Sequence, residues 1–209
     1  MLDIDPTLPA ELGPLQWLIG DWEGTGHVQF EAGDDDVREH AFGQRVTFAH
    51  HGLPFLAYTS YTWLLDDELT PLAAESGYWS LARLADERDG GPGMLPPAAE
   101  PRTVDDVEAL RRPDGAFELE VLIGHPTGVS ELYLGTIAGP RIDLATDAVL
   151  RSPSAKEHTA STRMLGLVEG DLLWAWDLAA LGRPLATHAS ARLARVRQVE
   201  APDASGGDA

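Results

Sequence analysis

Seven histidines and a single lysine, Lys156, are the side chains of this chain best suited to ligate a metal or carry a proton, and there is no cysteine. Without cysteine, thiolate nucleophiles, thiolate ligands and disulfides are excluded. No G-x-S-x-G elbow and no H-E-x-x-H pair is present, so a serine triad and a helical zinc site lack their sequence marks. His27, His40 and His51 read as surface or loop residues. His125 precedes Pro126-Thr127-Gly128 and reads as a turn residue. His188 differs. It follows Pro184-Leu185 and is flanked by Ala186, Thr187, Ala189 and Ser190, small side chains that leave room for a flat, bulky ligand against the imidazole. Two readings stand at this point: an ordinary hydrogen-bonded strand histidine, or a ligand donor. Lys156 stands out against the arginines, although a GC-rich codon usage explains that bias equally well.

A second pattern is structural. Gly20-Asp21-Trp22-Glu23-Gly24-Thr25-Gly26 reads G-x-W-x-G-x-G. Three glycines do not suit a helix, where each costs roughly 1 kcal/mol, and their spacing matches no phosphate-cradling loop. Gly20, Trp22, Gly24 and Gly26 share one face of a strand, where small residues let another backbone or a bulky group come close. The motif reads as the tight-packing first strand of a barrel, with the tryptophan plugging one end.

The elements that must position these residues are strands. Short apolar runs rich in aromatic and β-branched residues predict ten of them, near Trp22–Phe30, Gly43–His50, Phe55–Leu64, Gly77–Leu84, Phe117–Ile123, Val129–Ile137, Arg141–Val149, His158–Val168, Leu172–Ala180 and Thr187–Val196. Turn signals at Asp66-Asp67-Glu68, Pro113-Asp114-Gly115 and Glu169-Gly170-Asp171 join several as hairpins. Even spacing of many strands indicates an antiparallel sandwich or barrel. Leu12–Ile19, interrupted by Pro14, predicts a turn or two of helix. Glu31–Arg38, with its three consecutive aspartates, predicts an acidic loop. Residues 86–112, with Gly90-Gly91-Pro92-Gly93 and Pro96-Pro97, predict a flexible, peripheral insertion containing a helical turn near Val104–Arg111. One domain over residues 12–198 is expected, with loose termini at 1–11 and 199–209. Ala186–Arg197 carries a local conflict, because its Ala, Leu and Arg content favours helix.

The 209 residues suffice for one well-buried domain. A formal net charge of −19 argues against nucleic acid and against an anionic membrane surface. No apolar run approaches a membrane span and no signal segment opens the chain, so a cytoplasmic protein is expected. A homodimer is left open.

Taken in order, several blocks resemble the nitrobindins, a family of haem-binding β-barrels similar in shape to fatty-acid-binding proteins. They are G-x-W-x-G-x-G, Val46–Leu56 with Tyr58-Thr59, Glu75–Tyr78, Gly124–Glu131, Ala155-Lys156-Glu157 and Gly182–His188. The resemblance implies a ten-stranded antiparallel up-and-down barrel holding one haem b. It implies that His188 is the axial iron ligand and that Lys156 lies near the haem. It further implies that the ferric haem converts peroxynitrite to nitrate and binds nitric oxide. The chain departs from the family after Gly26, where His27-Val28-Gln29-Phe30 and the acidic loop replace a shorter stretch. A rival expectation is a carrier of a fatty acid or other apolar ligand in the same barrel. Arg192 would then be the carboxylate partner, on the same strand face as His188.

Overall fold

A computed structural model describes residues 5–31, 37–96 and 100–196. Ten antiparallel strands close into a barrel in which each pairs with its sequence neighbours and the first pairs with the last. They are β1 (Gly20–Glu31), β2 (Val37–Ala49), β3 (Leu56–Leu64), β4 (Pro71–Leu81), β5 (Phe117–His125), β6 (Val129–Ala138), β7 (Arg141–Arg151), β8 (His158–Val168), β9 (Asp171–Ala180) and β10 (Ala186–Arg195). All ten expected strands are present. The β2 and β4 strands begin earlier than expected. Pro71 is tolerated because it is the first residue of β4, where it interrupts no ladder. In β10, pairing to β9 on one side and β1 on the other overrides the helical propensity of its alanines.

The alternation of side chains explains the barrel. In β5, Phe117, Leu119, Val121 and Ile123 point inward and are buried, while Glu118 and Glu120 point out. One end is closed by a 3₁₀ helix, Ala10–Leu18, whose Leu12, Leu15 and Leu18 are fully buried. Trp22 completes that plug. Its indole is 0% exposed, donates to the Leu18 carbonyl at 2.8 Å and lies beneath the Arg195 guanidinium, 4.2 Å from the ring centre. The insertion is anchored in its described part. Helix α1 (Val104–Glu108) starts with a capping box from Thr103 and Asp106 and buries Val107. Arg102 pairs with Asp86, Asp89 and, on the plug helix, Glu11.

The glycine motif makes the seam. β1 and β10 pair from Trp22 opposite Arg195 to Val28 opposite Ala189. A Cβ on Gly24 would run into the Arg192 carbonyl and the Leu193 backbone. On Gly26 it would meet the Ser190 carbonyl, the Phe42 ring and Ala191. Gly26→Ala is therefore expected to strain the closure and cost about 1–3 kcal/mol, read as a lower midpoint in urea. A variant as stable as its parent would show that the seam yields freely.

Candidate functional site

His188 sits where β10 breaks its rhythm. On β9, Thr187 faces Asp177 and Ala189 faces Trp176, so His188 is the extra residue of a β-bulge. A bulge lets two successive side chains share a face and re-aims one of them. Here His188 and Ala189 both line the interior cavity. The regular alternation resumes at Ala189, Ala191 and Leu193, which are buried, with Ser190 and Arg192 outside. The expectation that Arg192 shares a face with His188 is thereby corrected. Arg192 lies on the outer surface, 2.6 Å from Asp171, and no carboxylate partner for a fatty acid comes from it.

The imidazole is fixed at one nitrogen. Nδ1 lies 2.9 Å from the Gln29 carbonyl, which can only accept, so Nδ1 carries the proton. Nε2 has no hydrogen-bond partner among the described residues and is left as a free donor of its lone pair. Burial lowers the affinity of the ring for a second proton. The Gln29 bond opposes this, and the charges of His158 and Arg163 add to it, with a net depression. A neutral imidazole with an open Nε2 is the form that ligates a metal.

The cavity has a volume of about 450 Å³, within the usual range for small-molecule sites. Leu64, Leu72, Leu165, Trp174 and Trp176 give it apolar walls, and His40 stands at its exposed rim. Among the described residues, no group of three or more His, Asp or Glu could hold a bare metal ion. One imidazole with an open Nε2 beside a largely apolar cavity instead fits a metal that brings its own flat set of ligands, and haem meets that description.

A buried polar cluster that the sequence reading missed fills the β4, β5, β6 and β8 side of the barrel. Arg163 donates bidentately to Glu75 at 2.9 and 2.8 Å and, through Nε, to the Tyr133 hydroxyl at 3.0 Å. Glu131, with a fully buried side chain, accepts from Tyr133 and Ser161. It also lies 2.8 Å from His125 Nε2 and 2.9 Å from His158 Nε2. His125 both opens the expected turn, through its carbonyl, and turns its ring inward. A signal existed: Glu131 sits between Val129 and Tyr133 on the inward parity of β6, and a carboxylate on an apolar face needs partners.

Burial pushes the Glu131 carboxyl up. The contacts from His125 and His158, the Arg163 charge and the Ser161 hydroxyl outweigh it and hold the group well below the usual carboxylate range. A folded-state value below the unfolded one gives stability that is present above the ordinary glutamate value, ~4.3, and is lost as pH falls below it. Urea midpoints between about pH 3 and pH 7 should therefore fall more steeply on the acid side for the parent than for Glu131→Gln. Equal slopes would show that Glu131 contributes nothing to acid sensitivity.

Lys156 is exposed in the connection between β7 and β8. That connection is at the same end of the barrel as His188, but Lys156 does not line the cavity. His27 is exposed and pairs with Glu39 at 2.9 Å.

Fold and site together define a class: a closed antiparallel barrel that presents the His188 imidazole, with Nε2 open, to a largely apolar cavity. The chain belongs to the family described as the THAP4-like, heme-binding β-barrel domain, whose model matches residues 11–195. This bears out the nitrobindin resemblance and haem as the cofactor. The chain is 61% identical to a protein named peroxynitrite isomerase from Leifsonia xyli subsp. xyli, over 93% of this chain and 99% of that one. It is 57% identical to one of the same name from Clavibacter michiganensis subsp. michiganensis, over 94% and 100%. Among solved structures, Rv2717c from M. tuberculosis superposes with a TM-score of 0.66 at 29% identity, covering 93% of this chain and 100% of that chain.

Proposed function

We propose that this chain holds one haem b through His188 and isomerises peroxynitrite to nitrate. The observation that carries the reading is the His188 ring itself. It is bulged into the cavity, held toward its neutral form by burial, protonated at Nδ1 by the Gln29 contact and open at Nε2. The name shared by relatives up to 61% identical supports the reaction. Bound haem would supply an electrophilic iron for the rearrangement of peroxynitrite to nitrate. The conversion is a net rearrangement and consumes no proton or electron. The protein residues therefore act by binding and by excluding water. His188 anchors the cofactor, and the Gln29 carbonyl keeps its proton on Nδ1 and raises its donor strength. Leu64, Leu72, Trp174 and Trp176 keep the cavity apolar. No side chain need act as general acid or base.

Lys156 serves one haem propionate as a charge partner, and nitric oxide is a second small ligand of the same site. The cytoplasm is the compartment that suits a chain without cysteine. No helix among the described residues is long and apolar enough to cross a membrane. The test is stopped-flow decay of peroxynitrite with nitrate and nitrite quantified at the end. Haem-loaded protein is expected to accelerate decay and shift the products to nitrate. Decay no faster than with the haem-free protein would overturn the reaction.

A further inference from the structure

One hydrogen bond does not orient an imidazole. The Nδ1 contact with Gln29 fixes a point, and the ring can still pivot about it. The neighbours of His188 in β10 give no help, since Thr187 and Ser190 are exposed and Ala186 and Ala189 are small. Among the described residues, one aromatic ring meets the imidazole from another strand. Trp176 of β9 approaches it at 5.0 Å between ring centres and 83° between planes. A perpendicular contact of this kind removes the pivot, because turning the imidazole would open a gap on one side and a clash on the other.

Trp176 is in turn held in an unusual way. Its own indole nitrogen is buried and has no hydrogen-bond partner, so no bond through the N–H fixes the ring. The indole is clamped through its faces. The Arg163 guanidinium lies 4.5 Å from the ring centre, and the His125 ring runs nearly parallel to it at 6.1 Å and 14°. Arg163 cannot swing away, because Glu75 binds both of its terminal nitrogens and Tyr133 binds the third. The buried ion pair thus ends, through one indole, on the imidazole of His188.

We propose that Trp176 is a positioning residue for His188, mounted on the Arg163–Glu75 pair, and that it fixes the plane of the imidazole before any cofactor arrives. The inference uses the haem reading only in taking His188 Nε2 as the iron ligand. Its first test needs no haem. In the haem-free protein labelled with ¹⁵N-histidine, the His188 ring is expected to give one sharp Nδ1-protonated signal set. Trp176→Leu should broaden or average it, and Trp176→Phe, which keeps a flat ring and lacks the N–H, should restore it.

The second test uses the haem-loaded protein. The low-spin ferric cyanide complex of Trp176→Leu should show a broadened, heterogeneous electron paramagnetic resonance signal. Its haem should pass to apomyoglobin roughly tenfold faster, the lower end of what loss of an outer partner costs a metal site. Trp176→Phe should match the parent. Should the leucine variant fail to fold, Trp176→Met, which fills more of the space, takes its place in both measurements. Signals and transfer rates equal to the parent's in a folded leucine or methionine variant would overturn the proposal. An unchanged haem spectrum in His188→Ala would instead overturn the haem reading and leave the haem-free measurement to decide on Trp176.

Discussion

His188→Ala, reconstituted with haemin, will lack the Soret band of a histidine-ligated haem and will lose peroxynitrite isomerisation. The effect is expected to exceed the roughly 100-fold that loss of an outer partner alone can cost a metal site, because here the ligand itself goes. Several polar groups lining the cavity are poor replacements. Gln44 and Ser60 are bonded to each other at 2.9 Å, Gln44 also accepts from Trp174, and the Trp176 indole offers no lone pair. His40 is the other imidazole that lines the cavity, at its rim on β2. The double variant with His40→Ala shows whether any residual band comes from there. The fold should survive, since His188 is only half-buried and gives up a single hydrogen bond, about 1 kcal/mol. A mutant spectrum identical to the parent's would end the assignment of His188 as the ligand.

Arg163→Met will be the most destabilising change in the barrel interior. The arginine side chain is 8% exposed and faces Glu75, 11% exposed, and Glu131, which is fully buried. Removing the cation leaves both buried carboxylates without their shared guanidinium, and breaking a buried pair in this way costs about 3–5 kcal/mol. For a domain of this size that is a fall of roughly 6–20 °C in the thermal midpoint. Burial already pushes the Glu75 carboxyl up, and the Arg163 charge and hydrogen bonds outweigh that push. Without them Glu75 should take up a proton at a higher pH. The double variant Arg163→Met/Glu75→Leu should recover part of the loss, because both members of the pair are then apolar. A single variant melting within about 2 °C of the parent would show that the pair is solvated in solution.

These two residues also mark what the sequence made legible. The barrel was readable because inward and outward residues alternate along almost every strand, as in β5 from Phe117 to Ile123. That His188 lines the cavity agrees with its small neighbours and with the Gly182–His188 block. The bulge was not legible. It carries no glycine, and a one-residue shift inverts the facing of every later side chain, which is why Arg192 was placed on the wrong side of the wall. The polar cluster was half legible. Glu131 on an apolar face announces a need for partners, but those partners come from β5 and β8, and Glu75, which shares Arg163 with it, comes from β4. Only closure of the barrel brings them together.

The seam between β1 and β10 has a consequence for how the protein is made. The strand that leaves the ribosome first must wait for the strand that leaves last, and the carbonyl of Gln29 waits with it for the ring of His188. Among the described strands this is the longest-range pairing, and such pairing is intrinsically slow. A nascent chain or a fragment cut short before Ala186 therefore lacks His188 and has an open wall. Closure of the cavity wall is in this sense a check on synthesis, since it waits for β10.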